Sequence, residues 1–322
     1  QISSPKHAFE VVADLALKHY ETLVKRGIRS EKTMEGIKSV LESRVRPFFK
    51  KMPVTAIDNT TWHRFKDAML KEHPDIKRGT LHQYKNAIRT VLNEAYRVGY
   101  IKVLPVFKDE YKSKKNEASR PWFNSREYTR LHRSIAAHAN RLKKIDKRQF
   151  EHALELYDFV IFAACTGMRV GELNNCKVSD VSVETDKNTN KKYLIVRNIK
   201  GKRGTGDCRT MDGAVAPFLR RVEARGIKNP KDSTEPLFQA YHRDMFNSVL
   251  DKTGLKWTKE QPPRKRDLTV LRHTYISFRL LNGASIYDIA TNCRTSPAMI
   301  SEHYAKWISP RMMKGLNRLN HG

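Results

Sequence analysis

Two arginines and one tyrosine in the C-terminal half of the chain have the side chains and the spacing for one particular reaction. Arg169 stands in the motif T-G-M-R-V-G-E, Arg272 in the motif L-R-H-T, and Tyr304 follows Arg272 by 32 positions. A guanidinium offers planar, paired donors that match phosphate oxygens, and it keeps its charge at working pH. A phenol becomes a useful nucleophile when cations stabilise its anion and the charge that develops on phosphorus. The three residues therefore suit the attack of a tyrosine oxygen on a phosphodiester.

The order and spacing of these motifs resemble those of the tyrosine recombinase (phage integrase) family. Its members carry T-G-x-R-x-x-E, then H-x-x-R-H, then a nucleophilic tyrosine at a similar distance. The motifs cover residues 121–310, and a looser likeness extends over the helical segment 8–105. The resemblance implies that Arg169 and Arg272 bind the scissile phosphate and that Tyr304 attacks it. It also implies that Glu172, one helical turn after Arg169, holds the guanidinium in place.

A cationic segment from Lys200 to Gly206 follows the predicted strand 193–196. By resemblance, a lysine here reaches into the minor groove of DNA and protonates the departing 5′-oxygen. Lys200, at the end of the strand, is the first candidate, and Lys202 is the second. Arg203 also competes for the assignment, and we expect Lys202 and Arg203 to bind nucleic acid. All three residues could instead contact only phosphates.

The chain departs from the family pattern at two positions. Thr269 stands three residues before Arg272, where the family has a histidine. Thr295 stands nine residues before Tyr304, where the family has a histidine or a tryptophan. A threonine hydroxyl can donate a hydrogen bond to phosphate, but it does not exchange a proton near neutral pH as imidazole does. The group that accepts the tyrosine proton is therefore open, and we expect a reduced rate. The resemblance gives His273 a structural role, and His303 projects about 100° away from Tyr304 in a helix.

Composition points to a polyanionic partner. The 322 residues include 62 Lys plus Arg against 34 Asp plus Glu, a formal net charge of +28 that is spread along the chain. Nucleic acid is the default partner for such a surface, and a merely basic protein or a membrane-binding one is the alternative. No apolar run of transmembrane length and no secretory signal is found.

Cofactor and metal motifs are not found in the sequence. The four cysteines form no C-x-x-C pair and have no ligand-like spacing with histidine, so we predict reduced thiols in a cytosolic protein without zinc. The sequence has no nucleotide-binding P-loop and no H-E-x-x-H motif. We expect no cofactor, which agrees with chemistry that conserves phosphodiester energy in a protein–DNA ester.

Periodicity and breaker residues predict the organisation of the chain. We predict a helical domain over 1–108, an exposed linker over 109–120 and a catalytic domain with a C-terminal tail over 121–322. The fold class is mainly α with a small β-sheet: a helical core-binding domain plus a mixed α/β catalytic domain, closing on DNA as a C-shaped clamp. Helices are predicted from Phe9 to before Gly27, over 31–48 and 60–72, after a capping box at Thr80 and Gln83, from Asn124, over 271–281 and from Ser285. A longer helical region is predicted over 150–177, in which a Thr166-Gly167 turn precedes the helix at Arg169.

The resemblance predicts a site-specific DNA recombinase, an integrase of a mobile element or prophage. Four protomers would assemble on duplex DNA at attachment sites, with accessory DNA-bending proteins as further partners, in the bacterial cytoplasm at the nucleoid. The first residue is Gln, and the sequence could lack a further N-terminal DNA-binding domain. Two alternatives stay open: a type IB topoisomerase that relaxes DNA, and a non-catalytic DNA-binding regulator, which would explain both threonines.

Overall fold

The computed structural model describes residues 7–108, 120–201 and 204–304. The chain divides into two units, Gln1–Lys114 and Lys115–Gly322. Apart from Arg120, the predicted linker 109–120 lies outside the described residues, so its character and the domain limits stay predictions. The closing of the two units on DNA as a clamp stays a prediction as well.

Helices build the N-terminal unit. They are α1 (Phe9–Lys25), α2 (Glu31–Val40), α3 (Arg46–Phe49), α4 (Asn59–Glu72) and α5 (Arg78–Arg97), with a π-helical segment, Leu41–Val45, joining α2 to α3. α1 buries Phe9, Val12, Ala13 and Ala16, which recur at helical spacing and form one face. That face packs in a core with aromatic rings of α3 and α4. In the described part of this unit, the β-structure consists of one isolated bridge between Ala8 and Pro53.

A capping side chain marks the start of α4, whereas the capping motif predicted for α5 does not mark its start. Asp58 caps α4, accepting a hydrogen bond from the Thr61 N–H at 2.8 Å. The capping box predicted at Thr80 and Gln83 is wrong, because α5 already begins at Arg78 after an extended Lys77. The Thr80 N–H bonds to the Lys77 carbonyl at 2.8 Å, so Thr80 lies inside the first turn and cannot precede it.

The C-terminal unit combines helices with a small sheet, as predicted. The strands β1 (Val181–Thr185), β2 (Lys192–Gly201) and β3 (Gly204–Arg209) form an antiparallel sheet in that order. Leu194 and Val196 alternate toward the core along β2. The predicted strand 193–196 is therefore correct in position but too short, and β1 and β3 were not predicted. The helices are α6 (Ser125–Leu142), α7 (Lys147–Thr166), α8 (Val170–Asn174), α9 (Val215–Ala224), α10 (Arg243–Lys252), α11 (Val270–Leu281), α12 (Ile286–Asn292) and α13 (Pro297–His303).

The start of α6 is attached to α11 and to the segment that precedes α11. Asn124 and Glu127 form the predicted capping box, with the Glu127 N–H bonded to Asn124 Oδ1 at 2.9 Å. Arg266 donates to Glu127 Oε2 at 2.9 Å and to the Trp122 carbonyl at 3.0 Å. The Phe123 N–H donates to Thr274 Oγ1 on α11 at 3.0 Å. These bonds hold α11, the helix that carries Arg272, against the start of α6.

All four cysteines are buried as free thiols in this unit. Burial raises the pKa of Cys165 and of Cys208 to about 12, and it raises the pKa of Cys293 to about 11. Burial also raises the pKa of the Cys176 thiol. These residues behave as small apolar side chains in the core. In the described part of the chain, no helix has both the length and the apolarity to cross a membrane.

A glycine break separates α7 from α8 and determines where Arg169 lies. The helical region predicted over 150–177 is divided by the predicted Thr-Gly turn, because α7 ends at Thr166 and Gly167 adopts φ +65°. A Cβ on Gly167 would lie 2.4 Å from Tyr275 Cδ1 and 2.8 Å from Cys293 Sγ. Glycine is required here for its backbone conformation and also for space. The chain can therefore turn and begin α8 directly after Arg169.

Replacing Gly167 by alanine should destabilise the fold through both effects. Backbone strain and overlap with Tyr275 together should lower the free energy of unfolding by about 2–4 kcal/mol. Gly254→Ala is the matched control, because Gly254 has φ +66° but an added Cβ meets nothing within 4 Å. Urea unfolding of both variants separates the two effects, and equal losses would contradict the close packing at Gly167.

Candidate active site

Arg169 lies at the start of α8 and is held by the helix that it begins. Its guanidinium Nη1 donates to Glu172 Oε1 at 2.7 Å, and its backbone N–H donates to Glu172 Oε2 at 2.8 Å. Nη2 donates to the Arg294 carbonyl at 3.3 Å. The side chain is 32% exposed, so the guanidinium has a fixed orientation and still faces solvent. The predicted pairing of Arg169 with Glu172 is present in this geometry.

Glu172 is a buried carboxylate between two guanidinium groups. Its side chain is 3% exposed, and Arg294 Nη2 donates to its second oxygen at 2.5 Å. Burial opposes ionisation, but the bonds from Arg169 and the charge of Arg294 outweigh it and lower the pKa of Glu172. The carboxylate therefore stays ionised and orients both arginines.

Arg294 belongs to the same cluster, and the sequence did not point to it. It precedes Thr295 in the loop between α12 and α13, with its backbone at φ +50°, a conformation that is costly for a residue with a Cβ. Its guanidinium also donates to the Asn292 carbonyl at 3.2 Å. No motif marks this residue, since its role depends on contacts with Glu172, 122 positions away.

Arg272 lies in the first turn of α11 and is held by backbone carbonyls. Nη1 donates to the Gly167 carbonyl and Nη2 to the Cys293 carbonyl, each at 2.7 Å. Burial lowers the pKa of this guanidinium, which nevertheless keeps its charge at neutral pH. The two bonds occupy two of its five N–H donors. The group is thus oriented, and its remaining donors can meet an anion.

Tyr304 directly follows α13, and its phenol is mostly buried. The residue is 8% exposed and packs in a cluster with Ile276, Ile300 and Cys293. Burial raises the pKa of the phenol to about 12, although the charges of Arg272 and Arg169 act to lower it. The hydroxyl is in hydrogen-bond contact with Nδ1 of His273. Tyr304 thus shares one site with both arginines, while nearby Tyr287 is 73% exposed.

The β2–β3 hairpin packs against the arginine cluster. A Cβ on Gly201 would lie 2.6 Å from Glu172 Oε1, and one on Gly206 would lie 3.2 Å from Arg294 Cδ. Lys200, paired with Thr205 across the hairpin, is exposed. It lines a cleft of about 620 Å³ together with Glu172. Lys202 and Arg203, the other two candidates of the hairpin, lie outside the described residues.

The two threonines are placed differently. The Thr269 hydroxyl donates to Asp267 Oδ1 at 2.6 Å at the start of α11. Thr295 is half-buried in the loop before α13, and its N–H donates to the Ala290 carbonyl at 2.9 Å. The structure brings His273 to the phenol instead, which the sequence reasoning missed. The available signal was its position beside Arg272 on the same helix.

Comparisons with known proteins agree with the resemblance found in the sequence. Residues 12–115 match the family model described as phage integrase SAM-like domain. The chain is similar to the Tn1549 transposon integrase in complex with a circular intermediate DNA, with 15% identity, 91% of this chain and 94% of that chain covered, and a TM-score of 0.62. No curated protein matches the chain in sequence.

Two further structures give the same picture. The XerH site-specific recombinase bound to difH substrate has 16% identity, with 87% of this chain and 76% of that chain covered and a TM-score of 0.59. A lambda integrase tetramer bound to a Holliday junction has 17% identity, with 90% and 76% covered and a TM-score of 0.60. The predicted fold class is confirmed: the chain has the tyrosine recombinase fold.

Removing the Glu172 charge should weaken the site and change its response to pH. At neutral pH, Glu172→Gln leaves two guanidinium groups without their anion, and we expect a loss of about 3 kcal/mol in the free energy of unfolding. Because folding lowers the pKa of Glu172, its contribution is present above the ordinary carboxyl range and fades as pH falls toward the folded-state value. The difference between wild type and variant should shrink accordingly in urea unfolding at acidic pH.

Glu184→Gln is the control for this measurement. Glu184 pairs with Arg197 at 3.5 Å, and both side chains are more than 40% exposed. Such a surface pair should contribute less than about 1 kcal/mol. An equal loss in both variants would show that Glu172 does not anchor the cluster.

Proposed function

We propose that this chain is a site-specific DNA recombinase that cuts and rejoins DNA through a tyrosyl–phosphate link. The observation that carries the proposal is the joint placement of the Tyr304 phenol with the guanidinium groups of Arg169 and Arg272. A pocket with fixed cations beside a nucleophilic oxygen suits attack on phosphorus. The fold shared with integrases and recombinases supports the same reaction.

Cleavage proceeds by nucleophilic attack of Tyr304 Oη on the scissile phosphorus. The Oη–P bond forms and the bond from phosphorus to the 5′-oxygen breaks, which leaves a 3′-phosphotyrosyl link and a free 5′-hydroxyl. Arg169 and Arg272 donate to the non-bridging oxygens, whose charge grows in the pentacoordinate transition state. Because their guanidinium planes are already held by Glu172, Gly167 and Cys293, little reorganisation is needed during the reaction.

Lys200 is the proposed acid for the departing oxygen. An alkoxide is a poor leaving group, so a proton delivered as the bond breaks lowers the barrier. The exposed position of Lys200 on the cleft beside Glu172 supports this role. The 5′-hydroxyl of a partner strand then attacks the phosphotyrosine, which joins new ends and releases Tyr304.

The biological setting follows from the same proposal. Duplex DNA is the partner, in agreement with a net charge of +28. Four protomers assemble on two attachment sites of a mobile element or prophage at the bacterial nucleoid, with DNA-bending proteins as accessory partners. The similar structures are integrases and recombinases, so strand exchange is preferred to relaxation by a topoisomerase.

Tyr304→Phe should abolish the covalent protein–DNA adduct, because the attacking oxygen is lost. The substrate is a labelled attachment site with a nick that traps the cleaved state, resolved on a denaturing gel. DNA affinity should change by less than about twofold, since phosphate contacts and not the phenol supply most of the binding. An adduct formed by Tyr304→Phe would refute the assignment of the nucleophile.

The matched control is Tyr287→Phe, because Tyr287 is 73% exposed. This variant should form the adduct at the wild-type rate. EDTA should leave the reaction unchanged, whereas a metal-dependent transposase would stop. A wild-type protein that binds the site but never forms an adduct would favour the non-catalytic regulator.

Lys200→Ala should slow cleavage about 100-fold or more with normal DNA, and a sulfur leaving group should restore the rate. A 5′-thiolate departs without a proton, so DNA with a bridging 5′-phosphorothiolate no longer needs the acid. Single-turnover cleavage of both substrates measures the effect. Lys191→Ala is the control, since the Lys191 side chain is 70% exposed and 3.9 Å from Asp212. An undiminished defect with the sulfur substrate would exclude Lys200 as the acid.

A further inference from the structure

The phenol of Tyr304 must lose its proton as it attacks phosphorus. Burial raises its pKa to about 12, so the phenolate is scarce at neutral pH. The two positions where the family pattern has a proton-exchanging side chain carry Thr269 and Thr295. The Thr269 hydroxyl already donates to Asp267, and a threonine cannot accept a proton near neutral pH. The reaction needs a base that these positions do not supply.

His273 is the group that the fold brings to the reacting oxygen. Its Nδ1 is in hydrogen-bond contact with Tyr304 Oη, and the two ring centroids are 5.6 Å apart at an interplanar angle of 44°. His273 follows Arg272 on α11, whose first turn is fixed by the bonds of Arg272 to Gly167 and Cys293. The same helix therefore positions a phosphate-binding guanidinium and an imidazole beside the nucleophile.

The surroundings keep this imidazole neutral before the reaction. Burial lowers the pKa of His273 to about 3, and the charges of Arg120, Arg272 and His303 lower it further, against the charge of Asp267. A neutral imidazole has one unprotonated nitrogen that can accept a proton. When a phosphate binds beside Arg272, its negative charge offsets these cations and makes protonation of the ring easier. The proton leaves the phenol as the Oη–P bond forms, because the oxygen loses its basicity in that step.

We infer that His273 is the general base of strand cleavage, taking the proton of Tyr304 at Nδ1. The inference rests on the proposed function. In cleavage, the Oη–P bond forms, the Oη proton moves to His273, the bond to the 5′-oxygen breaks, and Lys200 protonates that oxygen. In rejoining, the attacking 5′-hydroxyl gives its proton to Lys200 and its oxygen forms a bond to phosphorus, while the phosphotyrosyl bond breaks and the proton on His273 returns to Oη. Protons and bonds balance over the cycle.

The test is single-turnover cleavage by His273→Gln and His273→Ala on the nicked, labelled attachment site at saturating DNA. Both variants should lose about 10²–10⁴-fold in rate at neutral pH, with unchanged DNA affinity. Their rates should rise as pH increases, because hydroxide replaces the missing base. Added imidazole should restore the rate of His273→Ala, since the small base can enter the space left by the ring, but it should not affect the wild type.

His138→Gln is the control, because His138 is half-buried on α6 and takes no part in the proposed reaction, so this variant should cleave at the wild-type rate. His273 variants that cleave as fast as wild type, or a slow His273→Ala that imidazole does not rescue, would overturn the inference. The wild-type protein distinguishes a failure of this inference from a failure of the proposed function. If the wild type forms no covalent adduct through Tyr304, the proposed recombinase function is rejected as well.

The protonation of His273 in the wild-type protein tests the inference without any substitution, and therefore also if neither variant folds. Nitrogen-15 NMR of histidine-labelled wild-type protein reports which ring nitrogen carries the proton. We expect His273 to carry its proton on Nε2, which leaves Nδ1 as the acceptor of the phenolic hydrogen bond. A proton on Nδ1 would make the ring a donor to Tyr304 and would reject its role as base.

Discussion

The site depends on one buried carboxylate. Glu172 is removed from water and is stable there only because guanidinium groups of Arg169 and Arg294 meet both of its oxygens. This requirement draws together two distant parts of the chain, the start of α8 and the loop before α13. The tip of the β2–β3 hairpin packs against them at Gly201, where a Cβ would lie 2.6 Å from Glu172 Oε1. These contacts thereby locate the loop before α13 and the end of β2, where Lys200 lies, relative to each other.

The cluster keeps an excess of positive charge. Glu172 balances part of the charge of Arg169 and Arg294, whereas Arg272 is oriented by the neutral carbonyls of Gly167 and Cys293. Carbonyl dipoles fix a guanidinium without cancelling its charge. The cluster of Arg169, Arg272 and Arg294 therefore has three guanidinium groups for one buried carboxylate. It is arranged for an anion before any anion arrives, as electrostatic preorganisation requires.

The sequence predicted the features that depend on neighbouring residues. It did not predict the features that depend on contacts between distant parts of the chain. Asn124 and Glu127 marked the start of α6, because a capping box needs only neighbouring residues. β3, with the sequence G-T-G-D-C-R, has little strand propensity and forms because it pairs with β2. Arg294 joins Arg169 across 125 positions, and the contact of His273 with Tyr304 spans 31, so neither has a local signature. The roles of Arg169, Arg272 and Tyr304 stay predictions that their proximity supports.

The burial of Cys165, Cys176, Cys208 and Cys293 has a practical consequence. A thiol reacts with maleimides and similar reagents as its thiolate, and burial suppresses that form in all four residues. A cysteine introduced at an exposed position would thus outcompete the native ones for a fluorophore. The chain can be dye-labelled at such a position without first replacing its own sulfur atoms.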